Sequence, residues 1–507
     1  ALLSLLAGTP QTQRARRAAL RGVLHVRAGA SGAGSGLTWS DAFADLQDAL
    51  AAAKPGTQIW VAEGSYSPGP NQSDTFAIPS GVQVYGGFAG HEALLSQRDP
   101  ALHPTTLTGD INGDDTYSPV FNINSVNTWN IVTFQGASPK TRLDGFTLLS
   151  GHTYGATYAN NRGAGILLLS GSPRIVNCTF AQCVAAYGGA LWADSGSAVV
   201  EGCTFQTNYG SDYSGKGGAI FNGSQSSLTV RASTFLGNLA EARGGGSLGG
   251  GIYNETGATL TVTDSVFSGN DALPRGGGGY FCYGGAICSF TNSLVTIDRC
   301  SFDGNTSNLG GAVYLWSSAT ANVTNSVFRN NRAVKVILSG GNEGGSFAAG
   351  LSGGAGTNLV GCLFYGGVAD SYGGAYLPNS TVTNSIFWGN SDQNGSIGVA
   401  QVKANRVEYC CVENMLVGQP GEDPPDPAKF TGSTAADPMF VDALSGDFHL
   451  VSGSPCIDAG NNTTWPAGIV LDLDGGARFL DDPAKPDTGI GPAPIGDMGP
   501  FEFDPGA

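Results

Sequence analysis

The 507-residue chain has few charged side chains and very few histidines. Only 13% of its residues are Asp, Glu, Lys or Arg, and its formal net charge is −16. Nucleic-acid binding needs a basic face to meet the phosphates, so this balance excludes nucleic acid as the expected partner. All five histidines lie outside residues 153–448, which excludes histidine-based catalysis there. Such an acidic chain fits an extracellular protein, or one that uses Ca²⁺ to approach anionic glycans.

Long hydrophobic runs are also missing. No run of 18 or more apolar residues occurs, so the sequence predicts no transmembrane helix. Residues 1–7 are nearly all apolar and are followed by four arginines up to Arg21. This start fits either the remnant of a signal peptide or a mature N-terminus. We treat residues 1–22 as an N-terminal extension and expect a secreted or cell-surface protein.

The ten cysteines show no Cys-x-x-Cys spacing, which argues against a zinc or redox site. Four of them stand at a repeat position that is Ser in other repeats, so we expect small buried fillers there. These are Cys178, Cys203, Cys300 and Cys362. Cys282 and Cys288 lie close together in the sequence and the first is in a loop. A disulfide between them is sterically allowed in an oxidising compartment.

The chain is rich in glycine, and two phrases alternate from about residue 160 to residue 390. The first is Gly-Gly-Ala followed by an aliphatic and often an aromatic residue, as at 188–192. The second is a small residue, a spacer, Phe, two residues and usually Asn, as at 203–208. Its phenylalanines recur every 23 to 36 residues, an interval typical of solenoids. They are Phe180, Phe205, Phe235, Phe267, Phe302, Phe328, Phe364 and Phe387.

Each repeat contains three strand-like pieces separated by Gly and Asn, which tolerate positive φ at corners. In one repeat these pieces are 251–253, 260–262 and 265–267. The pattern predicts an all-β protein, a right-handed parallel β-helix over residues 23–412. Coils stack about 4.8 Å apart, so the phenylalanines should form an interior ladder and the asparagines a corner ladder. The asparagines are Asn208, Asn238, Asn270, Asn305, Asn331 and Asn390.

Both ends of a solenoid need covers, because an open coil exposes an unpaired strand edge. Ser40 is a good N-cap, and Phe43, Leu46 and Leu50 recur at helical spacing before Pro55. These signals predict an N-terminal helical cap. Residues 413–507 have Pro-rich loops and few strand patterns. We expect them to form a C-terminal capping module.

Several phrases resemble known proteins. Residues 39–43, 58–66 and 85–88 are similar to the N-terminal part of secreted right-handed β-helix proteins of the pectate-lyase-like superfamily. The alternating Gly-Gly-Ala and Phe-x-x-Asn phrases resemble the repeats of polymorphic outer-membrane protein adhesins. Residues 453–460 and 496–503 resemble the terminal module of secreted bacterial β-helix proteins. These resemblances imply a secreted solenoid that is either an adhesive or structural protein or a carbohydrate-active enzyme.

Two acidic segments could bind a metal. Asp110, Asn112 and Asp114 offer oxygen ligands at alternate positions, as calcium loops do. Asp472 and Asp474 show the same alternate spacing with only two acidic residues. We predict Ca²⁺ as the ion, with a plain Asx-rich turn as the alternative for each segment.

The first phrase also predicts a binding face. Its aliphatic and aromatic residues are neighbours and must face opposite ways, and the aliphatic set is the more uniform in size, as a packed interior requires. We therefore predict that the aromatics point outward and bind sugar rings or a second copy. The alternative is that the rings point inward. The candidates, with those of a nearby loop, are Trp192, Phe221, Tyr253, Tyr280, Phe281, Tyr283 and Tyr314.

The leading interpretation is a non-catalytic adhesive or structural protein that self-assembles or binds surface glycans. The alternative is a polysaccharide lyase or glycoside hydrolase on the same scaffold. Hydrolases of this kind place two carboxylates across the scissile bond. No such pair can be assigned residue by residue, so no catalytic residue is predicted.

Overall fold

The computed structural model describes residues 22–115, 126–153, 161–212, 214–242, 244–274, 281–316, 318–334, 336–337, 343–344, 348, 350–354, 356–392, 400–415 and 426–506. The chain divides into two compact units, which are treated separately below. The first comprises residues 1–209 and 226–229, and the second comprises residues 210–225 and 230–507. Within the described residues, no helix is both long and apolar enough to cross a membrane.

Short strands pair in parallel with the equivalent strand one coil later, which confirms the predicted right-handed parallel β-helix. Strand Thr259–Thr263, for example, pairs in register with Leu294–Asp298. Leu260 and Val262 are fully buried, while the intervening threonines are partly exposed. This alternation orients each strand, because apolar side chains at every second position face the interior.

The first unit contains three stacks of strands, called the first, second and third sheets. The first sheet comprises Phe76–Ala77, Val132–Phe134, Ile166–Leu168 and Leu191–Ala193. The second comprises Val23–Val26, Gln58–Ala62, Gln83–Phe88, Arg142–Asp144, Arg174–Val176 and Ser197–Glu201. The third comprises Gly64–Tyr66, Thr105–Thr108, Thr147–Leu149, Thr179–Ala181 and Thr204–Gln206. Val184–Ala185 is a short additional strand.

The second unit contains the same three kinds of sheet and a short fourth one. The first sheet comprises Ile220–Asn222, Ile252–Asn254, Ile287–Ser289, Val313–Leu315 and Leu351–Gly353. The second comprises Thr259–Thr263, Leu294–Asp298, Thr320–Thr324 and Asn358–Val360, and the long strands Tyr372–Thr383 and Ala400–Glu408 continue both sheets. The third comprises Thr234–Leu236, Val266–Ser268, Ser301–Asp303, Val327–Arg329, Leu363–Tyr365, Ile386–Trp388 and Cys411–Val412. The fourth comprises Leu239–Ala242, Asp271–Pro274, Thr306–Ser307 and Arg332–Ala333.

The remaining elements are short. Strands Tyr209–Asp212 and Ser227–Arg231 lie at the limits of the units. Among the described residues of the second unit, two antiparallel strand pairs occur, Val336–Ile337 with Glu343–Gly344 and Phe440–Asp442 with Asp447–Leu450. The α-helix is Leu46–Ala52, and 3₁₀ turns lie at Leu95–Gln97, Pro427–Lys429 and Asn462–Thr464.

The predicted phenylalanine ladder is present within each unit. In the first unit, Phe180 and Phe205 stack with ring centroids 4.6 Å apart. In the second unit, consecutive rings from Phe235 to Phe387 stack at 4.4–4.9 Å with planes within 10° of parallel. This spacing is the distance between strands. The rings therefore remain in contact wherever the register of the third sheet is kept.

The asparagine ladder satisfies the polar groups at the corner that follows each phenylalanine. The side-chain oxygen of Asn270 accepts from the backbone N–H of Asn238 at 3.1 Å and from its amide nitrogen at 2.9 Å. Asn270 in turn donates its side-chain amide to the carbonyl of Phe235 at 3.0 Å and to Asn305 at 2.9 Å. Asn270 is fully buried, so the ladder supplies the hydrogen bonds that water would otherwise provide.

One residue with a left-handed backbone forms each corner between the second and third sheets. The φ values are +52° at Asp264, +48° at Arg299 and +62° at Gly361. Only glycine adopts this region without a steric cost. The backbone conformation of the corner is therefore imposed by the stacked sheets on either side. It does not depend on the conformational preference of the residue at that position.

The cysteines that were expected to be interior fillers are buried, as are all other cysteines of the chain. Cys282 and Cys288, between which a disulfide was considered sterically allowed, are both free thiols in the structure. Cys288 lies within the strand Ile287–Ser289 and is paired in register with Tyr253 and Tyr314. Its side chain is held in that column, and burial raises the pKa of its thiol.

The N-terminal helix begins later than predicted, with Asp45 and not Ser40 as its N-cap. The Asp45 carboxylate accepts the N–H of Gln47 at 2.9 Å. Phe43 is not helical, because its backbone exchanges hydrogen bonds with His25 and Arg27 and extends the first strand of the second sheet. Leu46 and Leu50 are buried as the helical spacing predicted.

The C-terminal region packs against the outer side of the third sheet of the second unit. Phe448, Leu450, Ile457 and Met498 share an apolar cluster with outward residues of that sheet. These sheet residues are Val327, Leu363, Ile386 and Cys411. The region also extends the last coil, where the backbone N–H of Val412 donates to the carbonyl of Thr434 at 2.8 Å.

Replacing Asn270 by alanine should lower the free energy of unfolding by about 2–4 kcal/mol, because buried donors on the neighbouring coil lose their acceptor. Denaturant unfolding of the intact chain measures the change. Leu236→Ala is the control, since Leu236 is 38% exposed on the outside of the third sheet. Equal destabilisation by the two substitutions would contradict the ladder's role.

His449 should make the C-terminal region more stable below neutral pH. Its ring lies 2.6 Å from Asp447 and 2.7 Å from Asp474. Burial lowers the pKa of His449, but the two carboxylates outweigh this and leave the pKa raised. The stabilisation is complete below about pH 6.5 and disappears as pH rises through the raised value. His449→Gln should cost up to about 1 kcal/mol at pH 6, because the groups are exposed, and nothing at pH 9. An equal cost at both pH values in denaturant unfolding would refute this.

Candidate functional site

The first sheet of the second unit aligns the residues predicted to form a binding face. Parallel register places Tyr253 beside Cys288 and Cys288 beside Tyr314. The preceding aliphatic positions, Ile252, Ile287 and Val313, are fully buried. The aliphatic side chains therefore line the interior, and the next position along each strand faces outward.

Three of the predicted rings are buried, and cationic side chains of the same chain lie over two of them. Trp192, Phe221 and Tyr253 are buried, with 4%, 9% and 0% of their surfaces exposed. The Arg162 guanidinium lies over the Trp192 ring at 4.4 Å, and the Lys216 amine lies over the Tyr253 ring at 4.9 Å. The expected continuous exposed stripe is thus interrupted, because outward aromatic faces attract cations that shield them.

The covered Tyr253 belongs to a small polar network at the edge of the face. Its hydroxyl donates to Glu255 at 3.1 Å, and Glu255 lies 3.7 Å from the Lys216 amine. Burial, with the neighbouring Cys288 and Glu255, raises the pKa of Tyr253. The phenol therefore stays protonated and acts as a donor.

Beyond this network lies an open group of rings, which we call the aromatic patch: Tyr283, Phe290, Tyr314 and Trp316. All four are half-buried. The Tyr283 ring lies 4.7 Å from that of Tyr314 and 5.1 Å from that of Trp316. Phe290 and Trp316 are 4.7 Å apart, with their planes at 41°. The patch is a set of tilted, partly exposed rings on the outer wall.

The patch is built from three neighbouring positions of the repeat. Tyr314 occupies the predicted aromatic position, and Trp316 lies two residues further on the same face. Phe290 bears the same relation to Cys288 one coil earlier. Tyr283 comes from the segment before the strand, where it bridges in parallel to Leu309. The strand period of two could have identified Phe290 and Trp316, which the sequence interpretation missed.

Phe281 and Tyr280 were also predicted to belong to this face. Phe281 is half-buried, and its ring lies 6.5 Å from that of Tyr283 at the margin of the patch. Tyr280 lies outside the described residues. Burial is the main cause that raises the pKa values of both Tyr283 and Tyr314. The patch therefore offers apolar faces with two protonated hydroxyl groups, a combination suited to polar ligands with one apolar side.

The predicted calcium loop brings acids together in the first unit. Carboxylate oxygens of Asp110, Asp114 and Asp115 lie within 4.8 Å of one another. Asp110 already accepts the backbone N–H of Gly113 at 2.7 Å, and Asn112 donates its amide to Asp114 at 2.8 Å. The loop thus forms the Asx-type turn that was the alternative, with acids that Ca²⁺ could use. Calcium binding here stays a prediction.

The second predicted metal pair has other roles in the structure. Asp472 is buried and accepts the N–H of Gly476 at 2.8 Å and that of Glu502 at 3.2 Å. Asp474 is bound to His449. Asp472 thus organises the turn at 472–476, and Asp474 pairs with a histidine.

An acidic and basic cluster on the second sheet of the first unit bears on the enzyme alternative. Asp144 is 1% exposed, and its carboxylate contacts Arg98 at 2.5 Å and Arg142 at 2.5 Å. Asn177 donates a further hydrogen bond to Asp144 at 3.2 Å. This buried carboxylate is neutralised on both oxygens, so the cluster is a structural ion-pair network.

Comparison with known proteins identifies the fold class. A family model described as "Right handed beta helix region" matches residues 123–295. The chain is also similar to pectate lyase Pel9A, with 15% identity, a TM-score of 0.39 and coverage of 95% of this chain and 96% of that one. A complex of XylC with xylose shows 10% identity, a TM-score of 0.43 and coverage of 95% and 98%. No curated protein matches. The likeness to adhesin repeats stays a prediction.

Proposed function

We propose that the protein is a secreted or cell-surface β-helix protein that binds an uncharged glycan through the aromatic patch without cleaving it. The single observation that carries the proposal is a group of four half-buried rings in mutual contact on the outer wall, namely Tyr283, Phe290, Tyr314 and Trp316. Grouped apolar surface of this kind marks interaction sites.

A sugar fits the chemistry of this patch. A pyranose ring has an apolar C–H face that packs on aromatic rings and hydroxyl groups around its edge. The rings of Phe290 and Trp316 supply packing faces, and the phenols of Tyr283 and Tyr314 supply donors. The formal net charge of −16 disfavours both an anionic glycan and close self-association, since like charges repel.

The surroundings of the patch favour binding over cleavage. Glycoside hydrolysis uses two carboxylates placed across the bond. Glu255, the acid that adjoins the patch through Tyr253, is held by the Tyr253 hydroxyl and the Lys216 amine. The four patch residues themselves carry no acid or base that titrates near neutral pH.

Trp316→Ala should weaken binding of a neutral oligosaccharide about tenfold or more, which corresponds to about 1.4 kcal/mol, because the central packing face is lost. Glycan-array screening of the intact protein selects the oligosaccharide, and calorimetry measures its affinity for each variant. Leu294→Ala is the control, since Leu294 is an exposed apolar residue, 40% accessible, on the second sheet.

Two results would overturn the proposal. One is that Trp316→Ala binds the oligosaccharide as tightly as the unchanged protein does. The other is that the bound oligosaccharide is cleaved, which mass spectrometry of the incubated sugar detects. Sedimentation of the unchanged protein tests the remaining alternative, which is self-association through the aromatic patch. Association that depends on Trp316 and occurs without sugar would identify the patch as an interface between copies.

A further inference from the structure

Three aspartates of the C-terminal region converge on one point: Asp458, and two from the segment 481–487. One carboxylate oxygen from each of Asp458, Asp481 and Asp487 lies within 4.8 Å of the other two. Asp458 is fully buried, whereas Asp481 and Asp487 are exposed. The buried carboxylate forms the base of a small acidic site, and the two exposed carboxylates form its rim.

The buried carboxylate has an unused oxygen. Asp458 Oδ2 accepts the backbone N–H of Asp482 at 3.2 Å, but Oδ1 has no hydrogen-bond partner among the described residues. Leaving a buried charged oxygen unsatisfied is costly. A cation held between this oxygen and the rim carboxylates would remove that cost.

The backbone holds this arrangement in place. The carbonyl of Asp458 accepts the N–H of Thr488 at 2.9 Å and that of Gly489 at 3.1 Å. The N–H of Asp458 donates to Asp497 at 2.8 Å. The segment that carries Asp481 and Asp487 is therefore attached to Asp458 at its two ends, and the three acids are preorganised.

The cationic side chains nearby are engaged elsewhere. The Lys485 amine donates to the carbonyl of Ser454 at 2.7 Å. The buried Arg478 donates to the carbonyl of Asp497 at 2.6 Å and lies over the Trp465 ring at 4.4 Å. Neither cation forms an ion pair with any of the three aspartates among the described residues, so a cation from solution could supply their counter-charge.

We propose that Asp458, Asp481 and Asp487 form a Ca²⁺ site that clamps the 481–487 segment onto the C-terminal region. Calcium takes oxygen ligands at about 2.3–2.6 Å, so two oxygens on one ion lie at most about 5 Å apart, as these do. Mg²⁺ prefers shorter bonds and keeps most of its water. The site uses different acids from Asp472 and Asp474, whose carboxylates are bound to other groups of the region.

The test compares the intact protein with Asp481→Asn/Asp487→Asn after removal of metal with EDTA. Calorimetric titration with CaCl₂ should show one ion fewer per chain in the double variant, or binding at this site weakened at least tenfold. Asp504→Asn is the matched control, because Asp504 is an exposed acid of the same region. If Asp114→Asn loses a different Ca²⁺ ion, that ion is assigned to the 110–115 loop.

Thermal unfolding distinguishes a lost ion from a damaged fold. In EDTA the double variant should melt no lower than the unchanged protein, because repulsion among the acids is reduced. Calcium should then raise the melting temperature of the unchanged protein more than that of the variant. Equal calcium stoichiometry and affinity in both proteins, or a lower melting temperature of the variant in EDTA, would overturn the site. An equal response to MgCl₂ would overturn calcium as its ion.

Discussion

The coil-to-coil register of the parallel sheets is the constraint on which the rest of the structure depends. Because each strand pairs with its equivalent one coil later, a residue type that fits one coil must also fit beside its neighbour. The rings from Phe235 to Phe387 meet this condition by stacking at the strand spacing. The buried asparagines meet it by donating and accepting along the same direction. A shift of one residue would bring the wrong side chains inward and break both ladders.

The same register also aligns the side chains on the outer surface, but it constrains their size less. An inward position must fill a fixed volume, whereas an outward position meets solvent or whatever side chain lies over it. The column Tyr253, Cys288 and Tyr314 shows this freedom, since its members differ widely in size while the inward Ile252, Ile287 and Val313 do not. Function can therefore vary on the wall without disturbing the interior.

This difference between inward and outward positions explains which features could be predicted from the sequence. The fold, the phenylalanine ladder and the asparagine ladder follow from spacing alone, because the interior demands repetition. The helix start was missed because a tertiary contact, the pairing of Phe43 with His25, competes with a local N-cap at Ser40. The covering of Tyr253 was missed because Lys216 lies more than 30 residues away in the sequence. The convergence of Asp458 with Asp481 and Asp487 likewise depends on turns that have no repeat to align them.

The residue that precedes each Gly-Gly-Ala strand decides whether an outward ring is open or covered. This position runs Lys216, Leu248, Tyr283 and Leu309, joined by parallel bridges from coil to coil. The Lys216 amine lies over the Tyr253 ring and pairs with Glu255, so this ring is covered. Tyr283 reaches in the same direction over Tyr314 but adds another ring, which contacts Trp316 as well. A cation at this position hides an aromatic face, while an aromatic residue enlarges it. The residue at this one position therefore determines where the aromatic patch forms. The spacing between the strands that carry the rings is set by packing in the interior.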